Sequence, residues 1–131
     1  MDDNKVLYKD LSYQIVGILF NVYNDLGYGY KEKYYEKGTE QYFINQSIKY
    51  VRRAPYQIVA GGKMIAMNYI DFVVDNKIVL ELKKGNHFSK QNMDQIKQYL
   101  QITGLKLTIL ANFTPNGVKF IRVLNPNNLQ K

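Results

Sequence analysis

Apolar residues recur at helical spacing near the start of the chain. Leu11, Ile15, Ile18, Leu19, Val22 and Leu26 share one face and predict an amphipathic helix over about 10–26, with Asp10 as its N-cap and Gly27 as its stop. A second helix is predicted over about 30–44, weakened by Gly38, because glycine costs about 1 kcal/mol in a helix interior. From 47 onward the pattern turns to strands. Short ones are expected at 47–53 and 56–59, separated by a break at Pro55. Gly61-Gly62 signals a turn. The apolar runs 64–74 and 78–83, joined by Asp75-Asn76-Lys77, read as a β-hairpin. Ser89 can cap a helix running to about Thr103, with Met93, Ile96, Tyr99 and Leu100 on one face and Gly104 ending it. Two last strands, 105–111 and 118–124, enclose a Thr-Pro-Asn-Gly turn, and the polar tail 125–131 reads as loose.

The strand–helix–strand passage at 78–111 predicts a parallel pair with a crossover helix, whereas the hairpin before it is antiparallel. The expected fold class is therefore α/β, a mixed central β-sheet flanked by helices in a single domain over 1–131. A chain of 131 residues can bury a core of its own, and 46% hydrophobic with 22% charged residues is ordinary globular composition.

Composition then removes chemistries. Without cysteine there is no disulfide framework, no thiolate zinc site and no cysteine nucleophile. His87 is the only histidine, so no histidine pair or Ser-His-Asp arrangement can be built. The acidic Met-Asp-Asp-Asn start does not read as a secretory signal, and no apolar run approaches the length of a membrane span. A cytoplasmic protein with no membrane partner is the expectation.

Charge adds a direction. The formal net charge is +7, from 18 Lys+Arg against 11 Asp+Glu, which favours polyanion partners. From 41 to 93 the only acids are Asp71, Asp75 and Glu81, amid Lys49, Arg52, Arg53, Lys63, Lys77, Lys83, Lys84 and Lys90. A carboxylate cluster set in a phosphate-binding surface has this distribution, and so does chance clustering. The 12 tyrosines can stack on bases, although half-buried packing is the commoner use of a tyrosine.

Asp71 interrupts the run Tyr69-Ile70 and Phe72-Val73-Val74, where a carboxylate is costly unless paired, solvated or metal-bound. Glu81 stands in a second apolar run, and Lys83, two positions on, shares its strand face. The 75–77 turn folds the strands together, so Asp71 and Glu81 can lie side by side. Two adjacent carboxylates repel, a divalent cation resolves the conflict, and hard oxygen ligands suit Mg2+ or Mn2+. Lys83 would then position a water or stabilise charge on a phosphate in phosphodiester hydrolysis. The same three residues also fit a surface hairpin with a cross-strand salt bridge. Glu32 and Tyr35 lie three apart on one predicted helix, and Gln95 and Tyr99 four apart on another.

Taken in order, these pieces resemble a known family. Gly29-x-x-Glu32-x-x-Tyr35 matches the motif that names the GxxExxY proteins of the PD-(D/E)XK nuclease-like superfamily. The resemblance runs from Asp25-Leu-Gly27 through Asp71, Val79-Leu-Glu81-Leu-Lys83 and Gln95-x-x-x-Tyr99 to Leu110-Ala-Asn112-Phe113. Tyr69-Ile70 replaces the proline familiar before the first acid. The resemblance implies a restriction-endonuclease-like core. It implies Asp71 and Glu81 as metal-binding carboxylates with Glu32 as an extra helical glutamate at the metal, Lys83 as the catalytic lysine, Gln95 as a further site residue, and Tyr35 and Tyr99 in support. Arg52, Arg53, Lys84 and Lys90 are candidates for phosphate contacts.

The functional expectation is a Mg2+- or Mn2+-dependent nuclease acting on DNA first and RNA second. The alternatives are a non-catalytic nucleic-acid-binding or interaction module that keeps the fold, and a protein partner whose charged site is a structural salt bridge. A homodimer would let two sites address two strands, although nothing in the sequence marks an interface.

Overall fold

The computed structural model describes residues 7–126. In chain order they form α1 (Lys9–Leu26), α2 (Glu32–Asn45), β1 (Tyr50–Ala60), β2 (Lys63–Val74), β3 (Ile78–Lys84), α3 (Lys90–Thr103), β4 (Leu107–Thr114) and β5 (Gly117–Leu124). The strands make one mixed sheet in the order β1-β2-β3-β4-β5. Only β3 and β4 are parallel, joined across α3; the other neighbours are antiparallel. The expected α/β architecture is thus the one observed. Among the described residues, no helix is long and apolar enough to cross a membrane.

Alternation along β3 sorts its residues between two cores. Ile78, Leu80 and Leu82 face α1 and α2, where they join Ile15, Leu19, Tyr35, Phe43, Ile109 and Phe113. Val79 faces the other way, toward Tyr99 of α3. Further along the α3 side, Ile96 and Leu100 pack on Leu110 of β4. The apolar face predicted for α3 is the one it buries, and the Ser89 hydroxyl accepts from Asn92 N–H at 3.0 Å as its cap.

Several local expectations need correction. The N-cap of α1 is Tyr8, in a left-handed conformation, and Asp10 lies in the first turn, where its charge complements the helix dipole. Gly38 does not interrupt α2. A Cβ there would come within 3.1 Å of Val22 Cγ1, so the missing side chain lets α1 and α2 approach closely. The two short strands around Pro55 are one strand, β1; as an edge strand it tolerates a residue without an N–H. The strand expected from 105 begins at Leu107. Asn125 is not loose but buried, its side chain donating to the Leu100 and Leu105 carbonyls at 3.1 and 2.9 Å. The rest of the expected tail, 127–131, lies outside the described residues.

One irregularity positions the site. Phe72 and Val74 pack into the α1/α2 core, but Ile70, an even number of residues away, packs with Tyr56 and Tyr99 on the opposite side. The β1–β2 ribbon therefore turns over between Ile70 and Phe72. Across from that point Arg53 has φ 54°, a strained value for a side-chain-bearing residue. The register is the same on both sides of the turnover, with Arg52 opposite Phe72 and Ala54 opposite Ile70, so the two strands rotate together.

The helix contact at Gly38 is testable by urea unfolding. Gly38→Leu should destabilise the protein by about 1–3 kcal/mol through overpacking. Adding Val22→Ala should restore part of that loss, and a wild-type-like Gly38→Leu would contradict the contact.

Candidate active site

Asp71 stands at the turnover of β2, and Glu81 is its antiparallel neighbour on β3. The three-residue turn between the strands has left-handed Asp75 and Asn76 (φ 50° and 56°), and the Lys77 N–H closes it on the Val74 carbonyl at 2.9 Å. Regular pairing runs from Val74 opposite Ile78 to Phe72 opposite Leu80 and stops there. At the next rung the side chains replace the ladder. Glu81 Oε2 accepts from the Asp71 backbone N–H at 2.7 Å, and Asp71 Oδ2 accepts from the Leu82 N–H at 2.9 Å. The strands fork, and the two carboxylates fill the fork by satisfying the amides that the parting leaves without carbonyl partners.

Burial sets the electrostatics of the pair. Glu81 is only 1% exposed. Loss of solvent, then the charge of Asp71, pushes its carboxyl up to about 8. Asp71 is pushed up to about 6, chiefly by burial and then by the charges of Glu36 and Glu32, against the opposing pull of the Leu82 amide and Lys83. The two titrate as a pair that retains a proton near neutrality.

Lys83 follows on the same face of β3. Its Nζ lies 3.5 Å from Glu81 Oε1 and donates to Gln95 Oε1 of α3 at 3.4 Å. One turn further along α3, Tyr99 is buried edge-on to Tyr56, at 5.3 Å between ring centres. Its hydroxyl is pushed up by burial and by the Glu81 charge. An open cleft of about 430 Å3, lined by Lys83, Gln95, Gln91, Asn92, Asp94 and Gln98, leads outward from the lysine. The structure therefore assembles Asp71, Glu81, Lys83, Gln95 and Tyr99 around one fork.

Other candidates fall elsewhere. The Glu32 carboxylate accepts from the Lys84 backbone N–H at 3.0 Å, fastening the start of α2 to the end of β3. Among the described residues, no three His, Cys, Asp or Glu side chains come within reach of one ion, so Glu32 does not close a trio with Asp71 and Glu81. Tyr35 is fully buried, stacked 4.1 Å from Phe113, and its hydroxyl donates to the Gly27 carbonyl at 2.6 Å. It fixes the α1–α2 loop. Arg52 is held by Glu36 at 3.4 Å and Glu40 at 3.1 Å. Lys90 pairs with Asp94 at 2.9 Å on the exposed face of α3. Arg53 lies exposed over the Tyr69 ring at 5.3 Å, and Lys84 Nζ over Tyr28 at the same distance.

Two neighbours escaped the sequence reading. Glu36 is buried and bears on Asp71 more strongly than Glu32 does; its signal was its place one turn after Glu32 on the same helical face. Asn112 lies opposite Lys83 on β4, 1% exposed, with Oδ1 lacking a hydrogen-bond partner. The family resemblance takes it in as part of Leu110-Ala-Asn112-Phe113 but gives it no role.

The donor set fits a divalent cation. Asp71 and Glu81 bring two hard carboxylates together, and Mg2+ is commonly held by one or two carboxylates with water and substrate phosphate completing its shell. A cation would also relieve the mutual repulsion that raises Glu81.

Comparison with known proteins places this geometry. A family model for the PD-(D/E)XK nuclease superfamily matches residues 9–123. Among solved structures, the crystal structure of SSO0001 is similar with a TM-score of 0.55 and 17% identity, over 72% of this chain and 53% of that one. The chain thus spans about half the length of that protein, and the likeness is one of fold. None of the curated proteins matches the chain.

The raised carboxyls give stability a definite sign with pH. The folded state holds these protons more tightly than the unfolded chain, so the contribution is complete below the ordinary carboxylate range and is lost as pH rises through about 6 and about 8. In chelator, the melting temperature should fall by several degrees between about pH 5 and about pH 9, and Glu81→Gln should flatten that fall. A wild-type protein equally stable at both ends would contradict the buried pair.

Proposed function

This chain belongs to the PD-(D/E)XK nuclease superfamily, and on that premise we propose that it is a divalent-metal-dependent nuclease hydrolysing phosphodiester bonds in DNA. The observation that carries the reading is the fork, where half-buried Asp71 and buried Glu81 exchange hydrogen bonds with the parting strands and Lys83 lies against Glu81. Gly29-x-x-Glu32-x-x-Tyr35 supports a place among the GxxExxY proteins within the superfamily.

Each residue has a physical task in this reading. Asp71 and Glu81 would hold the cation, Mg2+ or Mn2+, which would polarise a phosphate oxygen and lower the pKa of a water. The Lys83 ammonium stabilises the negative charge that grows on the phosphate as the water oxygen bonds to phosphorus and the bridging P–O bond breaks. The attacking water gives up a proton to solvent, and the departing oxygen takes one up from solvent. Gln95 orients Lys83 through their hydrogen bond. Tyr99, buried beside Glu81, excludes water from the inner side of the carboxylate. The net charge of +7 draws the polyanion to the surface.

A second reading is a nucleic-acid-binding module without catalysis. It is favoured by the partners Glu81 already has, the Asp71 amide and Lys83, which satisfy its carboxylate without a cation.

One assay separates them. Wild-type protein is incubated with single-stranded, duplex and branched DNA in magnesium or manganese. Lys83→Ala should lower cleavage by roughly 100-fold or more, as loss of a transition-state charge contact does, while keeping the wild-type fold. Equal rates for wild type and Lys83→Ala would remove Lys83 from catalysis. Salt-sensitive binding with no metal-dependent cleavage would establish the second reading.

A further inference from the structure

Tyr35 and Tyr99 are packed away, and Tyr13 and Tyr69 are exposed apart from one another, but three exposed tyrosines lie close together in sequence. Tyr28, Tyr30 and Tyr34 are 43%, 46% and 42% exposed. Lysines accompany them. Lys84 Nζ lies 5.3 Å from the Tyr28 ring, and Lys33 and Lys37 lie 5.3 and 6.0 Å from the Tyr34 ring. Tyr30 meets Tyr34 edge to face at 5.9 Å.

The strip begins beside the carboxylate fork. Lys84 adjoins Lys83, and its backbone N–H is bound by Glu32 at the start of α2. Tyr28 and Tyr30 are two residues apart, so their Cα atoms are within about 7 Å. The acids of this stretch have partners of their own: Glu32 accepts from the Lys84 amide and Glu36 pairs with Arg52. What faces solvent is three aromatic rings, with ammonium groups over those of Tyr28 and Tyr34, and the exposed Glu32 among them.

That combination has a specific use. Exposed rings stack on bases that are free of a duplex, and adjacent ammonium groups meet the phosphates between those bases. Bases stacked inside a double helix have no free face to offer. We propose that Tyr28, Tyr30 and Tyr34, with Lys33, Lys37 and Lys84, form a stacking strip for an unpaired nucleic-acid strand entering or leaving the site. The direction of the strand toward Asp71 and Glu81 rests on the nuclease reading; the binding itself does not.

Fluorescence anisotropy in chelator, with short oligothymidylate, oligouridylate and a blunt hairpin duplex as probes, tests it. Wild type should prefer the single strands. Tyr28→Ala, Tyr30→Ala and Tyr34→Ala together should weaken single-strand binding by roughly 100-fold, each tyrosine contributing several-fold or more, with duplex binding changed less than two-fold. The triple Tyr→Phe variant should bind like wild type, because stacking survives loss of the hydroxyl. The stronger single-stranded probe identifies the strand as DNA or RNA. Unchanged single-strand affinity in the triple alanine variant, or an equal loss for duplex, would overturn the strip. Cleavage in magnesium is read separately on the same proteins. Tyrosine-dependent binding without any cleavage would leave the strip standing and defeat the nuclease reading. Cleavage without tyrosine-dependent binding would do the reverse.

Discussion

Two carboxylates, Glu81 buried and Asp71 half-buried, share the point where β2 and β3 part, and much of the surrounding structure follows from keeping them there. A carboxylate removed from water is stable only if hydrogen-bonded, paired or protonated. Here the fork supplies the hydrogen bonds. The Asp71 and Leu82 amides, which regular pairing would have turned to carbonyls, turn to Glu81 and Asp71 instead. Loss of solvent, with neighbouring carboxylate charge added to it, appears as raised proton affinity, larger at the more deeply buried Glu81. Lys83 offsets part of it and is itself held by Gln95. The reversal of faces at Asp71 and the left-handed Arg53 opposite it are the backbone cost of opening the sheet at this rung.

The helices serve the fork from both sides. On one face α1 and α2 meet across Gly38, and the α1–α2 loop is pinned by the Tyr35 hydroxyl on Gly27. That pin sets where α2 begins, and so where Glu32 reaches the Lys84 amide and Glu36 approaches Asp71. On the other face, α3 is fixed at one end by Ser89 and in its middle by Ile96 and Leu100 on Leu110. Gln95 and Tyr99 are thereby presented to Lys83 and Glu81 by a rigid element.

Much of this was legible in the sequence because it rests on local chemistry. Apolar periodicity gave α1, α3 and the β2–β3 hairpin, and the lone acids Asp71 and Glu81 in apolar strands marked the fork. What escaped depends on contacts between distant segments. Gly38 looks like a helix breaker until Val22 is placed against it, and Pro55 looks like a strand break until β1 is known to be an edge. Arg52 reads as a phosphate ligand, but Glu36 and Glu40, a helix away, engage its guanidinium. The face reversal at Asp71 has no sequence signature, since Arg53 is not a residue that predicts positive φ. For the same reason the hydrogen bond from the Lys84 amide to Glu32 has no sequence signal, since the two lie 52 positions apart along the chain.

If the fork takes a cation as proposed, its carboxylates must give up any proton they hold as it fills. Calorimetric titration of the protein with manganese at neutral pH, repeated in buffers of different ionisation enthalpy, measures that release directly. The expected result is one ion per chain, binding with expulsion of a fraction of a proton up to about one, and lost in Asp71→Asn and Glu81→Gln. Absence of a binding isotherm, or binding that survives both substitutions, would contradict the assignment of the fork as a metal centre.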